Sequence, residues 1–271
     1  MSGPSRELVD PATQRFSGVE RLYGPAALER FASANVAIVG VGGVGSWVAE
    51  ALVRSGVGSG AGRLTLMDLD DVCVTNTNRQ VQAVAEAVGR PKAEALADRL
   101  RAIAPEARVD PEPAFFGPRT CEAFWQAEPD VVVDAVDRAG TKALLIAQAR
   151  ERGVPVVTVG GAGGRVDPGQ VKTADLTRAY DDALLAATRK RLRQLYGFER
   201  DPRKKFRVPC VFSPEPAESP EVCGDDGDSV DGPKRLDCAT GYGSSVVVTG
   251  TFAFHATALV LGLLCDGGET P

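Results

Sequence analysis

The chain contains 271 residues, of which 44% are hydrophobic and 25% charged, and its net charge is −5 at pH 7. This composition is that of an ordinary soluble globular protein, long enough for one large α/β domain, and the acidic balance argues against non-specific nucleic-acid binding. The only histidine, His255, excludes a Ser-His-Asp triad and a histidine-rich metal site. The six cysteines form no C-x-x-C pair, so we expect reduced thiols, a cytoplasmic location and no zinc.

The first part of the chain predicts a strand, a glycine-rich turn and a helix. Residues 1–12 are polar and contain prolines, which predicts disorder, and a helix is expected to begin near Pro25. Residues 36–39 are apolar and predict a buried strand that runs into the turn. Glycines let the backbone approach a phosphate closely, and the free N–H groups of a helix start favour an anion. The glycines of the turn are Gly40, Gly42, Gly43 and Gly45.

The next strand, residues 63–68, ends in an acid. The carboxylate of Asp68 is placed to bond a ribose hydroxyl. NAD and ATP both contain ribose, so this residue favours neither of them as the ligand. Strands then continue to alternate with helices, which indicates an α/β fold with a doubly wound, Rossmann-like parallel sheet. The elements are a helix from Pro91, a strand over 130–134, a helix over about 141–152 and a strand over 155–160. We expect one domain, 13–271, with residues 13–164 as its nucleotide-binding core.

Residues 165–271 form the C-terminal part of that domain. Residues 165–172 contain a Pro-Gly pair and predict a hairpin that extends the sheet with an antiparallel strand. A helix over 181–195 leads into a basic run, which either ends a solvated helix or contacts a phosphate backbone. The basic candidates for a nucleic-acid contact are Arg189, Lys190, Arg193, Arg203, Lys204 and Lys205.

Two further segments follow the basic run. Residues 214–236 are rich in acids, prolines and glycines, which predicts a mobile surface loop. The apolar segment 244–265 is long enough to cross a membrane. We favour a buried core or dimer-interface helix, because the segment contains Ser, Thr and Gly and no positive cluster follows it. Membrane association through 244–265 is the lesser alternative.

Three motifs resemble those of the ThiF/MoeB ubiquitin-activating-enzyme-like superfamily. They are DLDDVCVTNTNRQ at 68–80, GRPK at 89–92 and DAVD at 134–137. The resemblance implies a ThiF/MoeB-like fold and ATP, not NAD, as the ligand. It also implies that Asp68 holds the ribose, that Asn76, Arg79 and Lys92 hold the triphosphate, and that Asp137 holds Mg²⁺. Asp70 and Gln80 are further candidate members of this site.

The chemistry of Lys92 agrees with the expected triphosphate. A cation at a helix start is unfavourable by about 0.3 to 1 kcal/mol, so an anion should compensate it. ATP phosphates would do so. The structural alternatives are a surface ion pair for Arg79 and for Lys92, and a helix cap for Asp137.

Other phrases are similar to the tRNA threonylcarbamoyladenosine dehydratases within that superfamily. They include GVGSW at 43–47, GGAGG at 160–164, CVFS at 210–213 and DCA at 237–239. The resemblance implies a homodimer that cyclises threonylcarbamoyladenosine in the tRNA anticodon loop. ATP activates the threonyl carboxylate, and a carbamoyl nitrogen closes the ring with net loss of water. Cys238 is a candidate nucleophile or acceptor of persulfide from a cysteine desulfurase, with an inert cysteine as the alternative.

Two departures from the superfamily pattern are visible. Gly18 stands where other members carry an arginine that reaches the ATP of the partner subunit, and Arg15 and Arg21 are the candidate substitutes. The two C-x-x-C pairs that hold zinc in many members are missing, which favours the dehydratase interpretation. The alternative is an adenylyltransferase that activates the C-terminus of a ubiquitin-like sulfur carrier, because it would use the same ATP residues. The sequence leaves open whether a monovalent cation binds.

Overall fold

The sheet is mostly parallel. The computed structural model describes residues 14–201, 203–217 and 242–267. Within these ranges the strands are β1 Asn35–Val39, β2 Arg63–Met67, β3 Val109–Glu112, β4 Val131–Asp134, β5 Val156–Val159, β6 Lys172–Asp175 and β7 Pro209–Phe212. Their order is β3-β2-β1-β4-β5-β7-β6, and β6/β7 is the antiparallel pair. The predicted doubly wound sheet with an antiparallel extension is confirmed.

The central strand β1 has apolar side chains on both faces. Ile38 lies level with Leu66 of β2 and Val133 of β4, and all three are fully buried. Successive residues point to opposite faces of a strand, so Ile38 packs into one hydrophobic core and Val39 into the other. A sheet buried on both faces requires the continuous apolar runs that the sequence shows.

Helices cover both faces of the sheet. Pro25 begins a helix, as predicted, and Asp182 caps another by accepting a hydrogen bond from the Leu185 N–H at 2.9 Å. The helix predicted from Pro91 begins at Lys92. The described helices are α1 Ser17–Tyr23, α2 Pro25–Ser33, α3 Gly45–Arg54, α4 Lys92–Ile103, α5 Cys121–Trp125, α6 Ala139–Arg152, α7 Ala183–Leu195 and α8 Val246–Cys265.

The direction of winding reverses between β1 and β4. From β1 the chain moves outward to β2 and β3, and it then returns to place β4 on the other side of β1. In open α/β sheets, ligands bind in the crevice outside the carboxyl ends of strands at such a reversal. Here the crevice lies between the glycine turn after β1 and residues 135–138 after β4.

The hairpin predicted over 165–172 is wrong. The carboxylate of Glu215 accepts hydrogen bonds from the N–H groups of Val166 and Asp167, at 2.9 and 3.0 Å. The side chain of Asp167 in turn accepts from Gly169 N and starts a 3-10 turn at Pro168–Gln170. These backbone groups are therefore bonded to side chains, and β6 pairs with the distant strand β7.

Helix α8 is long and apolar enough to cross a membrane, judged by length and composition. In the fold it packs against α2, α3 and the strands β4, β5 and β7, and 56% of its most apolar stretch is buried. Burial of that kind is typical of a core helix. His255 lies within α8, where its Nδ1 is 2.9 Å from the Thr251 carbonyl oxygen of the same helix.

Several sequence-based predictions lie outside the described residues. These are the disordered N-terminus, 1–12, the mobile loop over 214–236 except for its first four residues, and the roles of Cys238.

Candidate active site

The glycine turn is held tightly against the β4 loop. Gly40 has a φ of 89°, and a Cβ at this residue would lie 2.9 Å from the carbonyl oxygen of Ala135. A Cβ at Gly45 would collide with the Gly40 carbonyl. A Cβ at Gly42 would meet no atom within 4 Å, so the open side of the turn is free for a ligand. The backbone therefore requires Gly40 and Gly45, whereas Gly42 leaves space at the crevice.

Asp68 fixes the turn through its carboxylate. One oxygen accepts a hydrogen bond from Val41 N at 2.8 Å, and the other accepts from Asp70 N at 3.0 Å. Burial raises the pKa of the Asp68 carboxyl, and the positive charge of Lys92 partly offsets this rise. Each carboxylate oxygen has a second lone pair, so a ribose contact is compatible with both backbone bonds.

Lys92 already has an anionic partner in the fold. Its Nζ lies 2.8 Å from Oδ2 of Asp70, and its side chain is only 9% exposed. The main chain reinforces this pairing, because Lys92 N donates to the Asp70 carbonyl at 2.9 Å. Asp70 thus compensates the cation at the start of α4. The helix-dipole argument alone does not require a phosphate.

Arg79 packs against the glycine turn from a separate loop. Its methylene groups lie 3.3 Å from the position that a Cβ of Gly43 would occupy, and its carbonyl accepts from the Trp47 indole at 2.9 Å. The guanidinium donates to the Thr75 carbonyl at 3.0 Å and to the amide oxygen of Asn78 at 2.9 Å. Among the described residues it pairs with no acid, so its charge is available at the crevice.

Asn76 and Gln80 are buried in the loop that carries Arg79. The amide oxygen of Asn76 accepts from Cys73 N at 2.9 Å and closes a 3-10 turn. The Asn76 carbonyl accepts from Gln80 N at 2.9 Å. These bonds give both residues a structural part in shaping the loop, and their contacts with a nucleotide remain predictions.

Asp137 is exposed in the loop between β4 and α6. Arg138 is the N-cap residue of α6, and no side chain caps this helix, so the helix-cap interpretation of Asp137 has no support. Its carboxylate has no polar partner within the described ranges. Mg²⁺ is commonly held by one or two carboxylates together with phosphate oxygens, and Asp137 at the crevice fits that donor set. Nowhere in the described part of the chain do three or more Cys, His, Asp or Glu side chains form a metal-binding group.

The fold thus brings the glycine turn, Asp68 and Asp137 to one edge of the sheet, at the ends of β1, β2 and β4. The family profile of the "ThiF family" matches residues 17–263.

The chain belongs to the ThiF family.

Relatives that match nearly the whole chain include tRNA threonylcarbamoyladenosine dehydratases. The "tRNA threonylcarbamoyladenosine dehydratase" of Escherichia coli is 45% identical over 93% of this chain and 94% of its own. The solved structure of the E. coli enzyme, TcdA, in complex with ATP has a TM-score of 0.83 and 40% identity, and the match covers 96% and 97% of the two chains. The E. coli "Molybdopterin-synthase adenylyltransferase" is 34% identical, but over only 48% of this chain and 50% of its own.

A buried ion pair beneath the Asp137 loop was missed by sequence reasoning in this ThiF-family chain. Lys142 of α6 and Asp134 of β4 are both fully buried, with Nζ 3.1 Å from Oδ2. The Lys142 ammonium also donates to the Asp134 carbonyl at 3.2 Å, and Thr158 donates to the Asp134 carboxylate at 2.6 Å. The available signal was a lone lysine among the apolar residues of α6. The network fixes the end of β4, from which Asp137 extends.

Three of the six basic candidates, Arg193, Lys204 and Lys205, line a groove of about 560 Å³ at the ends of α6 and α7, together with the acidic Glu199. The Arg150 guanidinium lies 4.3 Å from the ring centre of Phe198, and that of Arg193 lies 5.4 Å from the ring centre of Phe206. We call this feature the basic groove, and its main lining residues are Arg150, Arg193, Phe198, Arg200, Lys205 and Arg207.

The six predicted nucleic-acid contacts differ in their surroundings. Arg203 pairs with Asp201 at 2.9 Å, and Lys204 pairs with Glu199 at 2.8 Å. Arg189 is half-buried and donates to the Leu176 carbonyl at 3.3 Å. In the described part of the chain, Lys190 and Lys205 have no acidic partner and are exposed. These two lysines therefore offer the least compensated charge.

Arg15 is occupied within its own chain. Its guanidinium pairs with Glu106 at 2.7 Å and donates to the Ile103 carbonyl at 2.8 Å, at the end of α4. Arg21 has no acidic partner within the described ranges. Of the two candidates for an arginine that reaches a partner subunit, Arg21 is the one that is free to do so.

The described cysteines, Cys73, Cys121, Cys210 and Cys265, are free. Burial raises the pKa of the Cys210 thiol to about 12. A protonated, buried thiol is a poor nucleophile, so Cys210 is a core residue and not a reactive one.

Proposed function

We propose that the protein is an ATP-dependent enzyme that dehydrates N6-threonylcarbamoyladenosine in the anticodon loop of tRNA to the cyclic form. The observation that carries this proposal is the 45% identity to a tRNA threonylcarbamoyladenosine dehydratase over nearly the whole of both chains. The adenylyltransferase match spans only about half of each chain. The sulfur-carrier alternative therefore has less support.

Each residue at the crevice has a proposed part in binding the nucleotide. Asp68 holds the ribose, and Gly42 lets the phosphates approach the turn. Arg79 and Lys92 bind the phosphates as cations, with Asn76, Asp70 and Gln80 shaping the loop around them. The support is their meeting at the carboxyl edge of β1 and β2, together with the uncompensated guanidinium of Arg79.

We propose that Asp137 binds Mg²⁺. Bound at this position, Mg²⁺ would neutralise the charge that develops on phosphate oxygens. Asp137 supplies the oxygen ligand, and the Lys142–Asp134 pair keeps its loop at the end of β4. ATP would activate the threonyl carboxylate by forming an anhydride between one carboxylate oxygen and a phosphorus atom of ATP. The carbamoyl nitrogen then bonds to the carboxyl carbon and loses its proton, and the activated oxygen leaves on the phosphorus atom, so the nucleoside loses the elements of water while ATP is cleaved. Cys238, in the part of the chain not described, remains a candidate nucleophile or persulfide acceptor.

We propose that tRNA binds along the basic groove and α7. The phosphates of a nucleic acid are bound by lysine and arginine side chains. All six basic residues named from the sequence remain candidates, and the unpaired Lys190 and Lys205 should contribute most.

We further propose a cytoplasmic homodimer. Its support is the exposed apolar side of α8, where Val247 and Phe254 are 55% and 56% exposed.

The tRNA proposal predicts unequal effects of two double variants. Replacing Lys190 and Lys205 by Gln should weaken binding of threonylcarbamoylated tRNA and reduce the salt dependence, with a log–log slope smaller by about 1 for each phosphate that is no longer neutralised. Replacing Arg203 and Lys204 by Gln removes the same charge but should weaken binding less, because acids already compensate these residues. Filter binding at several salt concentrations measures both, with ATP affinity expected to stay constant. Equal or reversed effects would contradict this ranking.

The activity itself is tested by mass spectrometry of nucleosides. Threonylcarbamoylated tRNA is incubated with the full chain and Mg-ATP, then digested. We expect a product lighter by one water than the substrate nucleoside, formed only when ATP is present. An unchanged nucleoside with folded protein, together with pyrophosphate exchange that depends on a sulfur-carrier protein, would support the adenylyltransferase instead.

A further inference from the structure

One buried polar atom has no partner in the described part of the chain. It is the amide oxygen, Oε1, of Gln82, whose side chain is 1% exposed. The amide nitrogen of the same group donates to the Val41 carbonyl at 2.9 Å and lies 3.4 Å from Oε1 of Gln80. A buried acceptor without a donor lowers the stability of the fold. The favourable contribution of the Gln82 amide is therefore its hydrogen bond to the Val41 carbonyl.

Gln82 and Asp68 both form hydrogen bonds with the main chain of Val41. Asp68 accepts from Val41 N at 2.8 Å, and Gln82 donates to Val41 O at 2.9 Å. The two polar groups of Val41 are thus fixed by side chains from different segments. Since Gly40 and Gly42 flank Val41, the path of the glycine turn depends on these two bonds.

The loop that carries Gln82 also carries Arg79. Two further bonds join this loop to the start of α3: the Trp47 indole donates to the Arg79 carbonyl at 2.9 Å, and Val81 N donates to the Ser46 hydroxyl at 3.4 Å. Gln82 completes the attachment at Val41. A shift of the Gln82 side chain would therefore move the glycine turn and the Arg79 loop relative to each other.

We propose that Gln82 is a positioning residue that sets the distance between the glycine turn and the Arg79 guanidinium. This inference rests on the proposed binding of ATP at the crevice. Gln82 itself touches no phosphate, because its side chain is buried beneath the turn. It acts through Val41 on one side and through its own loop on the other.

The test is the variant Gln82→Met in the full chain, with ATP affinity, melting temperature and steady-state kinetics measured together. Met fills a similar volume, removes the unpartnered oxygen and loses the bond to Val41 O. The contact that is lost with Gln80 Oε1 is long, at 3.4 Å, and elsewhere the unpartnered Val41 carbonyl replaces the unpartnered Gln82 oxygen, so the melting temperature should stay nearly constant. The dissociation constant and KM for ATP should rise about tenfold, while kcat at saturating ATP changes little.

Gln148→Met is the matched control. Gln148 lies on α6, and its amide oxygen accepts from the Trp125 indole at 2.6 Å, remote from the crevice. This variant should lower the melting temperature and leave ATP affinity unchanged. If Gln82→Met does not fold, Gln82→Leu serves the same test.

The outcomes separate the two proposals. Unchanged ATP affinity in Gln82→Met, or a loss of affinity that accompanies a fall in melting temperature, would overturn the role of Gln82 while the wild type still binds ATP. A wild type that fails to bind ATP would overturn the proposed function and the role of Gln82 with it.

Discussion

Replacing Asp137 by Asn is expected to reduce the rate at which threonylcarbamoyladenosine in tRNA is dehydrated by about a hundredfold or more. Asn keeps the size of the side chain but removes the negative charge that we propose for Mg²⁺ binding. A loss of about 3 kcal/mol of transition-state stabilisation, of the order that a bound metal supplies, corresponds to this factor. The rate is measured by mass spectrometry of the nucleosides at saturating Mg-ATP.

ATP affinity distinguishes a metal ligand from a residue that merely supports the loop. In Mg²⁺ the Asp137→Asn variant should bind ATP more weakly than the wild type, whereas in EDTA the two should bind equally. Glu151→Gln is the control, because it removes one exposed charge from the other end of α6. Full activity of Asp137→Asn, or a weaker affinity that is the same in Mg²⁺ and EDTA, would exclude Asp137 as the metal ligand.

Replacing Lys142 by Met is expected to lower the free energy of unfolding by about 3–5 kcal/mol. The change leaves the Asp134 carboxylate fully buried without its cation, and removal of one partner of a buried pair has costs of this size. For a domain with the usual marginal stability, such a loss is a large fraction of the total. Urea denaturation followed by circular dichroism measures it.

The double variant Lys142→Met/Asp134→Asn should recover most of this loss. Asn is uncharged, and its amide still provides an acceptor for the Thr158 hydroxyl, which bonds the Asp134 carboxylate at 2.6 Å in the wild type. Lys204→Met is the control for a solvent-exposed pair, and we expect no measurable change, because exposed pairs contribute little. If Lys142→Met unfolds at the same urea concentration as the wild type, Lys142 does not stabilise the core through its charge.

The strands that were predicted correctly are those with apolar side chains on both faces. Residues 36–39 and 130–134 show continuous apolar runs, which indicate burial without reference to the rest of the chain. β3, by contrast, contains Pro111 and buries only Val109 fully, so its sequence resembles a loop. The partner of β6 was missed for a different reason. Its neighbour β7 lies far along the chain, and no local pattern specifies a distant partner.

The residues of the candidate site also divide into those that the sequence reveals and those that only the fold reveals. The motifs that carry Asp68, Arg79, Lys92 and Asp137 are short and have fixed spacing, so they could be found in the sequence. Gln82 and Lys142 matter through bonds to Val41 and Asp134, which are formed only when separate segments pack together. In the sequence, Gln82 is one more loop residue, and Lys142 is a lone lysine in an apolar part of a helix, which does not reveal its partner.

The pairing of Lys92 with Asp70 has a consequence for which anions the crevice accepts. Any anion that binds Lys92 must first compete with a carboxylate at 2.8 Å. A lone inorganic phosphate or sulfate gains little from such an exchange, whereas a polyphosphate that also binds Arg79, as we propose for ATP, brings more charge. In the proposed binding mode, an anion therefore needs several simultaneous contacts to displace Asp70 from Lys92, which favours polyphosphates over simple anions.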